Sequence, residues 1–362
     1  MNYHIALSPP CDMEGMVRNA QQGITPSHAI WELSQLLGAK VHQPGEGQVL
    51  PIDRVLAKII GSPEHWALAR KLSFECHEND VIYCTCENIG IPLATICGLK
   101  KKRPKFIVYF HNINRPRGHL ALKLFQIANK IDLFVSTVPS QIAFLSQYLQ
   151  LPNNQIYQLK AQPTDISFFT PGPTSHEKNR PIIGSGGLEK RDYRTLADAT
   201  KDLDVDVKIC AFSKNAKKLK RSFPETIPNN MSFRFYAWAE LLQLYRDSDI
   251  VVVSLVENTQ EAGLSTLFEA MACRRPVVVT RLPGIISKLI DEGVVTGVSP
   301  YDSHEMKQAI QNLLDDRHKA QMQAQRGYEL VQKQYNQGKY VEYLAMEITS
   351  RYGSPVKKMS FV

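Results

Sequence analysis

Short runs rich in Val, Ile, Phe and Tyr alternate with stretches of helical periodicity along most of the chain. This is the rhythm of βαβ units around a parallel sheet. In the first half it predicts strands at 3–8, 80–85, 105–110, 133–137 and 155–159, with helices near 27–39, 63–74, 89–99, 117–130 and 139–149. The segment KAQPTDISFFTPGPTSHEKNRP (160–181) breaks the rhythm with four prolines around one glycine and reads as a linker. Strands then resume at 181–185, 205–212, 231–236, 249–255 and 276–280, with helices at 192–202, 214–222, 239–247, 264–273 and 284–291. Helices near 303–315, 317–334 and 338–352 close the chain. A pattern that stops and restarts predicts two doubly wound, Rossmann-like α/β domains facing across a cleft, an N-terminal one over 1–165 and a C-terminal one over 166–335.

The densest candidate chemistry is EAGLSTLFEAMACRRP (261–276). The run DIVVVSL before it is continuously apolar, as a strand buried on both faces should be, and it opens into a polar loop at the carboxyl edge of the sheet. A helix starting near Gly263 or Leu264 would present unpaired amides, those of Gly263, Leu264 and Ser265, and a partial positive charge to a diphosphate. Glu261 before those amides and Glu269 one to two turns beyond them can each accept hydroxyl hydrogen bonds from a sugar or a ribose. Glutamates at this spacing are also common on ordinary surface helices, so the spacing alone decides nothing. The setting between two buried strands is what favours a site. In LEKRDYRTL, Lys190 and Arg191 open the second domain's first helix, and Lys214 follows the strand 205–212; without further context all three read equally as solvated charges. His111 follows the strand KFIVYF at a second sheet edge, beside Asn112, Asn114, Arg115 and Arg117.

The run from Leu241 to Pro283 resembles the donor-binding core of the family-4 glycosyltransferases, retaining enzymes of the GT-B architecture. Its E-x7-E pair matches Glu261 and Glu269, and EAMA followed by Pro-Val-Val is characteristic. YFHN (109–112), TDISFFTP (164–171) and GSGGLEKRDYRTLADA (184–199) follow the family's order, so the resemblance covers about 100 to 320 and leaves 1–60 uncovered. The resemblance implies that Glu261 holds the donor sugar, Glu269 the ribose, and Arg191 with Lys190 the diphosphate. His111 would then position the sugar near its reacting carbon. It implies further that segment 336–362 carries a helix back to the first domain. The family's glycine commonly stands three positions after the first glutamate, whereas Gly263 stands two after Glu261, which leaves Glu257 as an alternative on the sugar side. The family's usual arginine before the lysine is replaced by Ser185, Gly186 and Gly187. Gly23 and His28 lie where the family has a glycine-rich loop, without its paired glycines. Glu87 and Asn88 are candidates for the acceptor side.

The expected activity is metal-independent transfer of a sugar from a nucleotide-sugar donor to a hydroxyl acceptor, which would be a glycan, a lipid or a small molecule. The alternatives are a nucleotide-sugar epimerase or hydrolase of the same fold, or a catalytically silent sugar-nucleotide-binding relative. No cofactor is expected, since no DxD-type aspartate pair lies where this fold would use one, and GSGGLE is an incomplete dinucleotide fingerprint. Cys76, His77, Cys84 and Cys86 lack the spacing of a zinc motif and read as buried thiols. Seven scattered cysteines and no leader or apolar stretch of about 20 residues point to a reduced, cytoplasmic setting. The net charge of +8 concentrates in KKKRPK (100–105) and KNAKKLKR (214–221). Neither cluster is interleaved with aromatics, so nucleic acid is not expected, and peripheral contact with an anionic membrane is the option they leave open.

Overall fold

The computed structural model describes residues 1–175, 178–212, 219–258 and 260–353. Two compact units divide the chain. The first comprises Met1–Val17, His28–Lys160 and the chain from Tyr340 onward, and the second Arg18–Ser27 and Ala161–Lys339.

The first stretch of chain runs β1 (Tyr3–Ala6), α1 (Met13–Gln21), α2 (Ala29–Leu37), β2 (Lys40–His42), α3 (Pro51–Leu56), α4 (Pro63–Glu75), β3 (Val81–Cys84), α5 (Glu87–Cys97) and β4 (Lys105–Tyr109). It continues through α6 (Pro116–Phe125), β5 (Leu133–Ser136), α7 (Pro139–Leu149) and β6 (Ile156–Gln158). The six strands are parallel in the order β2-β1-β3-β4-β5-β6. Strands β3 to β5 are buried almost throughout, as a sheet covered on both faces requires. Trp66, Phe106, Phe110 and Phe134 anchor the core of this unit.

The second stretch runs β7 (Ile182–Gly186), α8 (Tyr193–Thr200), β8 (Asp206–Cys210), β9 (Met231–Arg234), α9 (Trp238–Asp247), β10 (Ile250–Val253) and α10 (Leu264–Ala272). Then come β11 (Val277–Thr280), α11 (Ile285–Asp291), β12 (Thr296–Val298), α12 (Ser303–Asp315), α13 (Arg317–Lys333) and α14 (Gln337–Tyr352). Its six parallel strands follow the order β12-β11-β10-β7-β8-β9, the doubly wound dinucleotide-fold order. In such sheets ligands bind beyond the carboxyl ends of the strands where the order reverses, here between β7 and β10. In the first unit the reversal falls between β1 and β3.

Several predicted elements shift. The helix predicted over 117–130 stops at Phe125, because Gln126 takes a left-handed conformation (φ 46°) and a single 3-10 turn follows. Helices α1 and α3 and strands β2 and β12, each 9 residues or fewer, escaped the periodicity. The basic helix predicted over 214–222 falls mostly outside the described residues, which show a 3-10 turn at Lys220–Ser222. The proline-rich segment is more than free chain. Phe168 and Phe169 are buried in the second unit's core beside Tyr245, and Asp165 accepts hydrogen bonds from the amides of Ser27, Ser167 and Phe168. Among the described residues no helix is long and apolar enough to cross a membrane.

Where α5 crosses β4, Gly90 admits no side chain, since a Cβ there would stand 2.3 Å from Val108 Cγ1. Valine is stiff at χ1, so relief must come from the backbone. Gly90→Ala is therefore expected to destabilise the protein by about 1–3 kcal/mol. A urea titration checks this, and an unchanged midpoint would contradict the packing described.

Candidate functional site

The second unit's candidate site is assembled at the β7/β10 reversal. Strand β7 ends in glycine, and the turn after it passes through Gly187 (φ 90°) to Lys190 (φ 55°). Two contacts stitch this turn to the loop after β10: Val256 N donates to the Lys190 carbonyl (2.9 Å) and Asp192 N to the Ser254 carbonyl (3.0 Å). The Ser254 hydroxyl donates to the Asp192 carbonyl (2.6 Å), and Asp192 caps α8 through the Thr195 amide (3.2 Å).

Arg191 lies beneath this stitched loop and is buried. Its Nε donates to the Gly186 carbonyl (2.6 Å), Nη1 to the Glu189 carbonyl (3.0 Å) and Nη2 to Thr266 Oγ1 in the first turn of α10 (3.1 Å). All three acceptors are neutral oxygens, so these bonds fix the guanidinium without neutralising it. Two glycines make room for it. A Cβ on Gly187 would stand 2.5 Å from Nη2, and one on Gly263 would stand 3.3 Å from Nη1 and 2.8 Å from Val253 Cγ1. Gly263 is also left-handed (φ 90°) and begins α10 with no side-chain cap, so the first amides of that helix keep their donor capacity. A fixed cation and a helix amino terminus thus coincide.

Glu269 is half-buried on α10, where Tyr245 Oη donates to its Oε2 (2.8 Å). Burial raises its carboxyl to about 7, partly offset by Tyr245 and by the charge of Arg191. With Ser265, Trp238, Phe169 and Asp165 it lines a pocket of about 130 Å³. This is below the roughly 300 Å³ at which sites for drug-sized ligands begin, and suits one ring of a ligand. A larger cavity of about 540 Å³, lined by Lys178, Arg180, Asp249 and Arg274, lies at the amino edge of the same sheet, away from this chemistry.

Glu261 is buried in a left-handed conformation (φ 51°). Its Oε1 accepts from the Ile285 amide (3.2 Å) and crowds Gly284, while its Oε2 is buried without a hydrogen-bond partner. Burial raises this carboxyl also to about 7, less a contribution from the Ile285 amide. The two glutamates therefore engage different neighbours, Glu269 the α9 side and Glu261 the start of α11. Glu257 is exposed, and Lys190 is half-buried with its carbonyl engaged. Leu264 is buried and Ser265 exposed. Lys214 lies outside the described residues.

In the first unit His111 is exposed, packs its ring against Tyr109 at a tilt of 51° and contacts the Thr85 carbonyl through Nε2 (3.1 Å). The buried Glu87 carboxylate accepts the amides of His111 (3.0 Å) and Asn112 (3.2 Å). It braces the loop after β4, and each of its oxygens takes one amide of that loop. His28 caps α2 by accepting from the Ile30 amide, and Gly23 is left-handed (φ 68°). Sequence reasoning missed Tyr245, Thr266 and Trp238. Tyr245 and Trp238 lie on one helix whose pattern marks them only as apolar, and Thr266 sits inside the motif without any feature to separate it from Ser265.

The basic cluster at 100–105 is largely paired. Lys102 meets Glu78 (3.0 Å), Arg103 and Lys105 meet Asp132 (2.6 and 3.5 Å), and Lys100 donates to the Ser73 carbonyl.

Residues 182–316 match the family model described as glycosyl transferases group 1, which supports a glycosyltransferase over that segment. No curated protein matches the chain. Solved structures of similar fold include a sucrose-phosphate synthase from Thermosynechococcus elongatus (14% identity, 98% of this chain and 100% of that one, TM-score 0.71). An alpha,alpha-trehalose-phosphate synthase (UDP-forming) from Burkholderia vietnamiensis is also similar (12%, 98% and 100%, 0.72). So is HepE of Anabaena in complex with UDP-glucose (15%, 97% and 100%, 0.67). The fold is thus that of the GT-B glycosyltransferases.

Both raised carboxyls bind protons more tightly in the fold than the ordinary value of 4.5 allows. Stability should therefore fall as pH rises from about 4.5 to 7 and level off above. For the buried Glu261 the cost at pH 8 is on the order of 3 kcal/mol. Glu261→Gln should flatten this slope and raise the urea midpoint at pH 8 but not at pH 4; an equal gain at both values would rule out ionisation as the cause.

Proposed function

We propose that the protein is a retaining, metal-independent glycosyltransferase that moves a sugar from a nucleotide-sugar donor to a hydroxyl acceptor. The observation that carries this reading is Arg191: a buried, un-neutralised guanidinium locked against the uncapped amino end of α10. When the bond between the anomeric carbon and the diphosphate breaks, negative charge develops on the leaving oxygens. A preorganised cation and helix amides stabilise that charge most where water is excluded. The new bond joins the anomeric carbon to the acceptor oxygen, and the acceptor's proton passes to the leaving phosphate, so no protein base is required.

In this reading the amides of Gly263, Leu264 and Ser265, with Arg191 and Lys190, hold the diphosphate. Glu269 takes the ribose through Oε1, its other oxygen being held by Tyr245. Glu261 serves the donor sugar through its unpartnered Oε2, and His111 is assigned the positioning of the sugar near its reacting carbon. UDP-linked sugars are the first donors to try, because the names of two structural relatives specify UDP-glucose and UDP formation. The reading is of a soluble enzyme of the cytoplasm; peripheral attachment to anionic membrane gains little from the paired cluster at 100–105. A nucleotide-sugar hydrolase would use the same donor site without an acceptor.

A thermal-shift screen of UDP-, GDP-, ADP- and CMP-linked sugars finds the donor, since a ligand that binds the folded state raises the midpoint. Labelled donor then separates the readings: turnover that does not depend on acceptor sinks the transferase, and an inverted anomer sinks retention. Glu269→Gln should weaken donor binding about tenfold, the scale of one lost hydrogen bond to a charged group. His111→Ala should lower kcat about 100-fold with an unchanged thermal midpoint. Rates should be the same with and without added Mg²⁺ or Mn²⁺.

A further inference from the structure

A second cluster of ligand-type side chains lies in the first unit at the amino edge of its sheet, opposite the edge that carries His111. It joins His4 on β1, Cys76 at the end of α4 and Asp80 just before β3. One donor atom from each lies within 4.8 Å of the other two. Cys76 is 5% exposed and the side chains of Asp80 and His4 6% and 11%. Such burial is unusual for three polar groups that do little for one another. His4 Nε2 is buried without a hydrogen-bond partner and stands 3.9 Å from Asp80 Oδ2, too far for a hydrogen bond.

Behind His4 is a second imidazole, 1% exposed. His42 Nε2 lies 3.0 Å from His4 Nδ1, and His42 Nδ1, also without a hydrogen-bond partner, faces Glu46 Oε2 at 3.7 Å. If His4 carries its proton on Nδ1 and donates it to His42, its Nε2 lone pair points at Cys76 and Asp80, and the Nδ1–H of His42 points at Glu46. Metal-ligating histidines are oriented in this way, with the distal ring N–H donated to a polar partner. The Asp80 carboxylate is itself fixed, Oδ1 accepting from the Asn2 amide (3.0 Å) and Oδ2 from the His77 amide (2.9 Å).

We propose that His4 Nε2, Cys76 Sγ and Asp80 Oδ2 form a zinc site, with His42 as the positioning residue behind His4. Ligands about 2.0–2.3 Å from a tetrahedral zinc stand about 3.3–3.8 Å from one another. The His4–Asp80 separation already nears this, and side-chain rotation closes the remainder. Binding releases the Cys76 proton to solvent and leaves Zn²⁺ with one thiolate, one carboxylate and one neutral imidazole, a group of zero net charge. That neutrality suits a buried site, where an isolated charge is costly. A nitrogen, sulfur and oxygen set favours zinc over magnesium or calcium. Three protein ligands leave the fourth zinc position open, and the cluster lies at the sheet edge opposite the one that carries His111.

The test uses the full-length protein stripped of metal by chelation. Titration with Co²⁺ should give one equivalent of a tetrahedral visible spectrum with a near-ultraviolet thiolate-to-cobalt band, and Zn²⁺ should displace it and raise the thermal midpoint. Cys76→Ala and His4→Gln should abolish the band while circular dichroism stays native, whereas Cys97→Ala should retain it. His42→Gln should keep the band and weaken Zn²⁺ binding about 10–100-fold. Absence of a thiolate band in the wild-type protein, or its persistence in Cys76→Ala, would overturn the proposal without reference to how any variant folds.

Discussion

The second unit is organised around one buried guanidinium. Arg191 needs a carbonyl at the end of β7, a hydroxyl in the first turn of α10 and two positions without side chains, and Gly186, Thr266, Gly187 and Gly263 supply them. A buried cation held by neutral oxygens alone carries a desolvation cost that its hydrogen bonds only partly offset. That cost is tolerable where an anionic ligand supplies the missing charge. The raised carboxyls of Glu261 and Glu269 belong to the same economy of charge: each is held where burial disfavours ionisation, and Glu261 keeps a buried oxygen without a hydrogen-bond partner.

The sheet architecture explains why this collection sits where it does. Parallel strands send every βα loop to one edge, and the reversal of order between β7 and β10 parts two neighbouring loops to leave a crevice. Arg191 comes from the loop after β7 and Gly263 from the loop after β10, so the crevice is framed by the first and fourth strands of the unit. In the first unit the reversal lies between β1 and β3, whose loops carry Ser8 and Thr85, with Glu87 opening α5 just beyond. There a single carboxylate, Glu87, orders the neighbouring loop after β4 by taking two of its amides.

Much of this was legible in the sequence. Short β-branched runs such as VVV at 251–253 and 277–279, bounded by polar loops, read as strands covered on both faces, and they located the second sheet and its ligand edge. The short elements were not legible, because β2 and β12 hold three residues each and leave no period to detect. The E-x7-E spacing identified the right helix but could not say that Glu261 would turn to Ile285 while Glu269 turned to Tyr245, since side-chain direction depends on the left-handed backbone at Glu261. The cluster of His4, Cys76 and Asp80 was hidden for another reason. His4 stands more than 70 residues before Cys76 and Asp80 and meets them only through the pairing of β1 with β3.

Strand β7, Ile-Ile-Gly-Ser-Gly, is buried along its whole length. A Cβ on Gly184 would lie 2.2 Å from Ser248 Oγ, whereas one on Gly186 would meet Tyr245 and Thr266 at an ordinary contact distance of 3.6 Å. In the proposed donor site this strand is frozen ground. Variation there has to be confined to exposed positions such as Trp238 and Ser265, and what mutation could change about the ligand is bounded by those positions.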